Sequence, residues 1–112
     1  MSTPARTPQP PYYCVIFTSR RKPGIEDDYG DASERMLELA QTMPGYLGIE
    51  SARNAEGFGI TVSYWESEEA IKNWRMHAEH VVVQKMGRTH FYEWYESRVG
   101  IVQRAVSFKS GK

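Results

Sequence analysis

Apolar residues along the chain follow two different spacings, and these spacings predict its secondary structure. Four stretches are rich in β-branched and aromatic residues, or alternate apolar with polar side chains, as β-strands do. They cover residues 12–19, 46–53, 59–65 and 91–108. We therefore predict four strands, of which the last is long and contains a bulge or bend at Gly100.

Two further stretches repeat apolar residues at steps of three and four, the spacing of an amphipathic helix. The first covers residues 25–43 and ends before Pro44. The second begins after Ser67, a residue type that caps helices, and runs to Arg88 with a break expected near Met76. The order strand, helix, strand, strand, helix, strand predicts an α+β domain of the ferredoxin-like split βαβ type, with an antiparallel sheet and both helices on one face.

The first predicted strand, YYCVIFTS at 12–19, carries apolar side chains on both of its faces. Both faces of such a sheet should be covered, and a chain of 112 residues has little material to cover them. We therefore expect a homodimer.

Residues 1–11 contain four of the six prolines and almost no apolar side chains. We predict a flexible N-terminal arm here, with the alternative that the arm docks on a partner subunit. The folded domain is expected to cover residues 12–108. The arm lacks the apolar core of a signal peptide, and no apolar run approaches the roughly 20 residues of a membrane span, so we expect no membrane partner.

The charge and cysteine content narrow the class of protein. The chain has 14 basic and 14 acidic residues and a formal net charge of zero, so we expect no nucleic-acid partner. Cys14 is the single cysteine, so no internal disulfide can form and no cysteine cluster can bind zinc. A reducing cytoplasm is the expected compartment.

Four segments resemble a known family. They are PGYLG at 44–48, SYWES at 63–67, NWRMHAEH at 73–80 and the aromatic final strand. Through them the chain resembles the antibiotic biosynthesis monooxygenase (ABM) family of the dimeric α+β barrel superfamily. The resemblance implies that two chains pair through their sheets, and that each keeps a pocket between sheet and helices. It also implies an activity, since some members are cofactor-independent monooxygenases of activated aromatic polyketides, in which the substrate carbanion reduces oxygen, and others degrade haem.

The haem-degrading branch resembles this chain only in part. Trp65 and Trp74 match that branch, but its haem-ligating histidine falls at Gln84. Its asparagine on the first strand has no match in YYCVIFTS. His77 and His80 are near the ligand position but out of register. We therefore expect no cofactor and keep haem binding as an alternative.

Three side chains of the second helical stretch are candidates for the site. His80 is the favoured general base for deprotonating a substrate, and Trp74 is predicted to form an aromatic pocket wall. The simpler interpretations are a core tryptophan and an exposed or merely hydrogen-bonded histidine. His77 and His80 are three residues apart and have the spacing of a metal-binding pair, but no further ligand cluster is evident.

The final strand supplies the third predicted catalytic residue. Arg98, which we expect to share a strand face with Tyr92 and Trp94, is predicted to stabilise a substrate enolate or phenolate. Its simpler interpretation is an ion pair at the rim or at the dimer interface. The residues predicted to contact the substrate are Trp65, His77, Tyr64 and Tyr95.

These features favour a small monooxygenase that acts on an aromatic or polyketide-like molecule. A non-catalytic ligand-binding or stress-related dimer is the alternative from another class, and a haem-binding or haem-degrading protein is a third. No phosphate-binding glycine loop, serine-nucleophile motif or dinucleotide fingerprint is present.

Overall fold

The computed structural model describes residues 4–111, apart from the side chain at position 78. Its strands are β1 (Tyr12–Arg21), β2 (Tyr46–Arg53), β3 (Phe58–Trp65) and β4 (Tyr92–Val102). They form one antiparallel sheet in the order β2-β3-β1-β4. This order is that of the ferredoxin-like α+β fold, and it confirms the predicted fold class.

Three helices and one helical turn connect the strands. They are α1 (Glu26–Gln41), α2 (Glu68–Met76), α3 (Ala78–Met86) and a π-helical turn (Gly87–Phe91) that leads into β4. No helix within residues 4–111 is long and apolar enough to cross a membrane.

The second helical stretch is interrupted, as predicted, next to Met76. His77 has an extended conformation, with φ −60° and ψ 134°, and so ends α2 and precedes α3. At the other end of α2, Ser67 Oγ accepts a hydrogen bond from the Ala70 N–H at 3.0 Å, which caps the helix.

The helices cover one face of the sheet, which we call the inner face; the opposite side is the outer face. Successive side chains of a strand point to alternate faces, so Val15 and Phe17 point inward while Cys14 and Ile16 point outward. The core lies between the inner face and the helices, and Trp65 at its centre is 0% exposed. The buried core residues are Ala40, Trp65, Ala70, Ile71 and Trp74.

A bulge changes the alternation at the start of β4. The pairing of β1 with β4 shifts between Arg20 and Arg21, so that Trp94 lies opposite Arg20 while Tyr92 lies opposite Arg21. Tyr92 therefore points inward, and Trp94 points outward with Glu96 and Arg98. The expectation that Arg98 shares a face with Tyr92 is wrong for this reason. The predicted bulge at Gly100 is also wrong, because Gly100 pairs regularly with Cys14.

The two ends of the chain lie outside regular structure. β4 ends at Val102, earlier than predicted, and residues 103–111 are exposed without helix or strand. Residues 4–11 also form no helix or strand, but they contact the outer face: the Ala5 N–H donates to Glu50 Oε2 at 2.9 Å. A Cβ added to Gly48 would meet the Ala5 Cβ at 2.8 Å, so the arm lies directly on β2.

Candidate functional site

A cavity of about 300 Å³ lies between the inner face and the helices. Most of its wall is apolar. Its polar lining includes His80 and Arg75, which follow Trp74 along the chain, three tyrosines at the opposite end, and several serine, threonine and glutamine side chains. Such a site, apolar with a few polar groups, is typical of small-molecule binding. The lining includes Val15, Phe17, Met36, Ile71, Val83 and Phe91.

Trp65 and Trp74 form the aromatic wall at one end of the cavity. Their rings stack with centroids 6.0 Å apart and an angle of 25° between the planes. Trp65 Nε1 donates to Ser63 Oγ at 2.9 Å, which satisfies its one donor without closing the cavity to a ligand. Because both rings also belong to the core, this wall is rigid.

His80 reaches the cavity from α3 and packs edge-on against Trp74, with ring centroids 4.6 Å apart and an angle of 86°. Its Nδ1 is buried and has no hydrogen-bond partner among the described residues. Burial, and then the positive charges of His77 and Arg75, lower the pKa of His80 from 6.5 to about 4. At neutral pH the imidazole is therefore uncharged and able to accept a proton or a hydrogen bond.

His77 lies at the junction of α2 and α3 and does not line the cavity. Its ring is 6.2 Å from that of Trp74, and its Nδ1 is buried without a partner among the described residues. This placement does not fit direct contact with a substrate in the cavity. Within residues 4–111, no group of three or more His, Cys, Asp or Glu side chains is arranged to bind a metal ion.

Two other predicted site residues lie on the outer face of the sheet, away from the cavity. Arg98 is exposed on the outer face, where it pairs with Glu96 at 3.3 Å, in agreement with its simpler interpretation as an ion pair. Tyr64 is also on the outer face and donates to Glu50 Oε1 at 2.6 Å. Burial, and then this bond, raise the pKa of Tyr64. Neither side chain reaches this chain's cavity.

The cavity also has a polar end that sequence reasoning missed. Tyr95, a predicted contact, lies there with Tyr29 and Tyr92. Behind them, Arg53 donates to Tyr29 Oη at 2.9 Å and to Ser19 Oγ at 2.8 Å. The alternation Ile49, Ser51, Arg53 along β2 was a signal for an inward arginine, but nothing in the sequence showed that Tyr29 would meet it.

The fold and the site define a small α+β domain with an apolar cavity between sheet and helices. The model of the antibiotic biosynthesis monooxygenase family matches residues 12–86, and the chain belongs to this family.

Individual relatives agree with this membership. The chain is 49% identical over 105 residues to the uncharacterized protein YqjZ of Bacillus subtilis, covering 94% of this chain and 91% of that protein. It is 30% identical over 98 residues to the jasmonate monooxygenase ABM of Pyricularia oryzae, which covers 84% of this chain but 45% of that protein. The fold is similar to that of protein SO0527 from Shewanella oneidensis, with a TM-score of 0.75, 10% identity, and coverage of 91% of this chain and 100% of the other.

Proposed function

We propose that the protein is a small cofactor-independent monooxygenase that acts on an aromatic or polyketide-like molecule bound in the cavity. The observation that carries this proposal is the neutral His80 imidazole, edge-on to Trp74 in an apolar cavity. The family match supports it, as does the 30% identity to a jasmonate monooxygenase, although the chain spans 45% of that protein's length.

The size of the cavity bounds the substrate. An apolar cavity of roughly 150 Å³ holds one benzene ring. A cavity of about 300 Å³ therefore suits one or two fused rings with a short substituent. On the same scale a tetrapyrrole needs roughly 600 Å³. We therefore propose that haem is not the ligand of this cavity, in which Gln84 also takes the place of the expected histidine ligand.

The proposed reaction oxidises a C–H₂ group that lies between a carbonyl and an aromatic ring. His80 removes one proton, and the resulting carbanion is stabilised as an enolate. Its electron pair reduces dioxygen, so that a C–O bond forms and yields a hydroperoxide. Loss of water then leaves a ketone: the C–H₂ group and O₂ become C=O and H₂O.

The low pKa of His80 restricts which substrates can react. Because the imidazole is unprotonated at neutral pH, the base is always available, but proton transfer to it gains little free energy. We therefore expect substrates whose C–H bond is already acidic. The same weak basicity is the observation that favours the second candidate, a ligand-binding protein without turnover.

Oxygen uptake with two bicyclic ketones tests the proposal. 2-Tetralone needs a base, whereas 1,3-indanedione is about half ionised at neutral pH without any help from the protein and so depends much less on one. We expect His80→Gln to lower kcat about 10²- to 10⁴-fold for 2-tetralone and much less for 1,3-indanedione. Trp74→Ala should impair both, because it removes the wall of the site.

His90→Gln is the matched control, since His90 is half-exposed and pairs with Asp28 at 3.8 Å outside the cavity. It should leave both rates unchanged. Saturable binding of the ketones with no oxygen uptake would favour the non-catalytic candidate. A hemin titration that produces a histidine-type Soret band would contradict the size argument against haem.

We also propose that two copies pair through their outer faces. Phe58, Ile60 and Trp94 are 37%, 42% and 45% exposed on that face, and the Phe58 and Trp94 rings are 5.9 Å apart. An apolar patch of this kind typically marks an interaction surface. The zero net charge offers no long-range repulsion against pairing. The single cysteine supports a reducing, cytoplasmic location for this dimer.

A further inference from the structure

Arg53 is held on the inner face by four hydrogen bonds. Besides its bonds to Tyr29 Oη and Ser19 Oγ, its Nη1 donates to the Gly57 carbonyl and, at 3.4 Å, to the Ser19 carbonyl. Ser19 is 0% exposed, and Arg53 is partly buried beside it. The guanidinium is therefore fixed in position at the polar end of the cavity.

Gly59 leaves the space in which the guanidinium lies. It is the cross-strand partner of Arg53, and a Cβ added to it would lie 2.6 Å from the Arg53 Cζ. A side chain at position 59 would thus displace the guanidinium from its partners. The absence of a side chain at Gly59 is therefore what allows the Arg53 guanidinium to lie where it does.

The charge of Arg53 has no anionic partner within the described chain. No described carboxylate lies within 4.0 Å of its guanidinium. A second guanidinium, that of Arg21, lies 5.6 Å from the centroid of the Tyr29 ring, and its Nε is buried without a partner. Arg21 has only a long contact with Glu26, at 3.9 Å. The polar end is therefore positively charged, and partly buried charges that have ring and hydroxyl contacts but no close anion favour the binding of an anion.

The two hydroxyls next to Arg53 have one hydrogen to spare. The Tyr92 hydroxyl donates to Tyr29 Oη at 3.2 Å, which uses the hydroxyl hydrogen of Tyr92. Arg53 donates to Tyr29 and so uses none. The hydroxyl hydrogen of Tyr29 therefore remains. Burial, and then Tyr29, raise the pKa of Tyr92, so it stays a protonated donor at neutral pH.

We propose that Tyr29, held by Arg53 and Tyr92, donates its hydroxyl hydrogen to an anionic oxygen of the ligand in the cavity. The ligand is accordingly a carboxylate, or an enolate or phenolate, with an apolar ring system. Arg53 is a positioning residue that also supplies the positive charge behind the hydroxyls. This inference rests on the cavity being the ligand site proposed above.

The separation of the two ends of the cavity orients such a ligand. Trp65 lies opposite Tyr13 on β1, whereas Tyr95 lies opposite Ser19. At the rise of a β-strand these positions are roughly 20 Å apart. A ligand of one or two fused rings is shorter than this separation, so its anionic oxygen lies by the tyrosines and its ring system extends from there toward the tryptophans.

A pair of probes of equal shape tests this assignment. 2-Naphthoate carries a carboxylate, and 2-naphthamide is its neutral counterpart; both match the size of the cavity. Calorimetric titration of the unmodified chain should show at least about tenfold tighter binding of the carboxylate. Tyr29→Phe and Gly59→Ala should each weaken 2-naphthoate binding about ten- to hundredfold and change 2-naphthamide binding less than about threefold.

Tyr13→Phe is the matched control, because Tyr13 packs against the core on the same face of the sheet and does not line the cavity. It should retain the selectivity. The ratio of the two affinities is the decisive readout, since a general loss of structure would weaken both probes together. A third probe, 2-naphthol, is converted into its phenolate as the pH rises from 7 to 10. Tighter binding at the higher pH would show that the site also accepts a phenolate.

Equal affinity for the two matched probes in the unmodified chain would overturn the inference. So would an unchanged affinity ratio in Tyr29→Phe and Gly59→Ala. Either result leaves the oxygenase proposal standing, because that proposal is tested by oxygen uptake. Failure of both probes to bind would instead overturn the cavity as a ligand site and, with it, both proposals.

Discussion

His80 presents an uncharged imidazole to the cavity, and this makes the stability of the fold depend on pH. The pKa of His80 is lowered from 6.5 to about 4 on folding, mainly by burial. Between these values the unfolded chain binds a proton at His80 that the folded chain does not bind. The contribution of the uncharged His80 to the free energy of unfolding is therefore fully present above pH 6.5, and it is lost as the pH falls from 6.5 through 4.

We expect this loss to be about 1–2 kcal/mol of unfolding free energy. The full shift corresponds to about 3 kcal/mol, and the partial solvent access of His80 reduces it. Urea unfolding at pH 7.5 and pH 4.5 measures the effect, with His80→Gln as the variant that cannot titrate. His90→Gln should keep the loss seen in the unmodified chain. An equal loss in His80→Gln would assign the pH dependence to other groups.

Side-chain positions could be predicted where one periodicity holds and not where it breaks. Trp65 and Trp74 line the cavity, on the faces that the strand and helix spacings indicated. His80 and Tyr95 also line it, although those spacings did not place them, and the roles of all four stay predictions. Arg98 could not be placed, because a single extra residue at the start of β4 changes which side chains share its face. The contact between Arg53 and Tyr29 joins residues 24 positions apart in sequence, and no local pattern encodes it.

At the level of secondary structure, the pair α2 and α3 controls the shape of the cavity. Trp74 belongs to α2 and His80 to α3, and the extended residue His77 between them sets the angle at which their rings meet. One continuous helix would place these side chains at different relative positions. The start of α2 therefore matters for the site as well as for stability.

Ser67→Ala tests the start of α2. The substitution removes the side-chain acceptor of the Ala70 N–H, so we expect a loss of about 1 kcal/mol in the free energy of unfolding. Ser33→Ala is the matched control, since Ser33 is exposed within α1 and caps nothing; it should leave stability unchanged or slightly raised. Denaturant unfolding with a common m-value provides the comparison. Equal effects of the two substitutions would contradict the capping role.

Element boundaries could be predicted to within a few residues, except at the end of β4. Residues 103–108 continue the alternation of a strand, yet the structure leaves them exposed. The reason lies in the neighbouring strand: Val102 pairs with Tyr12, the first residue of β1, and Pro10 and Pro11 before it have no N–H groups to donate. A strand needs a partner, and the alternation of one segment does not reveal where its partner ends.

For the whole molecule, the order of elements was sufficient to predict the fold, because few topologies connect these elements with short, uncrossed loops. The order of elements does not predict what covers the outer face of the sheet. One strand with two apolar faces predicts that something covers the sheet, but not what. The N-terminal arm covers part of β2, and the patch of Phe58, Ile60 and Trp94 stays exposed in the single chain.

The proposed dimer is tested by placing a charge in that patch. Trp94→Glu should raise the dissociation constant of the dimer at least about thirtyfold, because a central interface tryptophan typically contributes about 2 kcal/mol or more. Sedimentation velocity over a range of concentrations measures this. Val106→Glu is the control, since Val106 is 97% exposed beyond the sheet and should leave association unchanged. A monomeric unmodified chain at micromolar concentration would end the dimer proposal.

The contact of Ala5 with Glu50 and Gly48 has a practical consequence for producing the protein. An affinity tag fused to the amino terminus puts foreign residues a few positions from that contact, beside the surface through which two copies are proposed to pair. Residues 103–111 are exposed and can carry a tag at the carboxyl terminus without touching the sheet. The oligomeric state measured for an amino-terminally tagged preparation would therefore depend on the tag as well as on the protein.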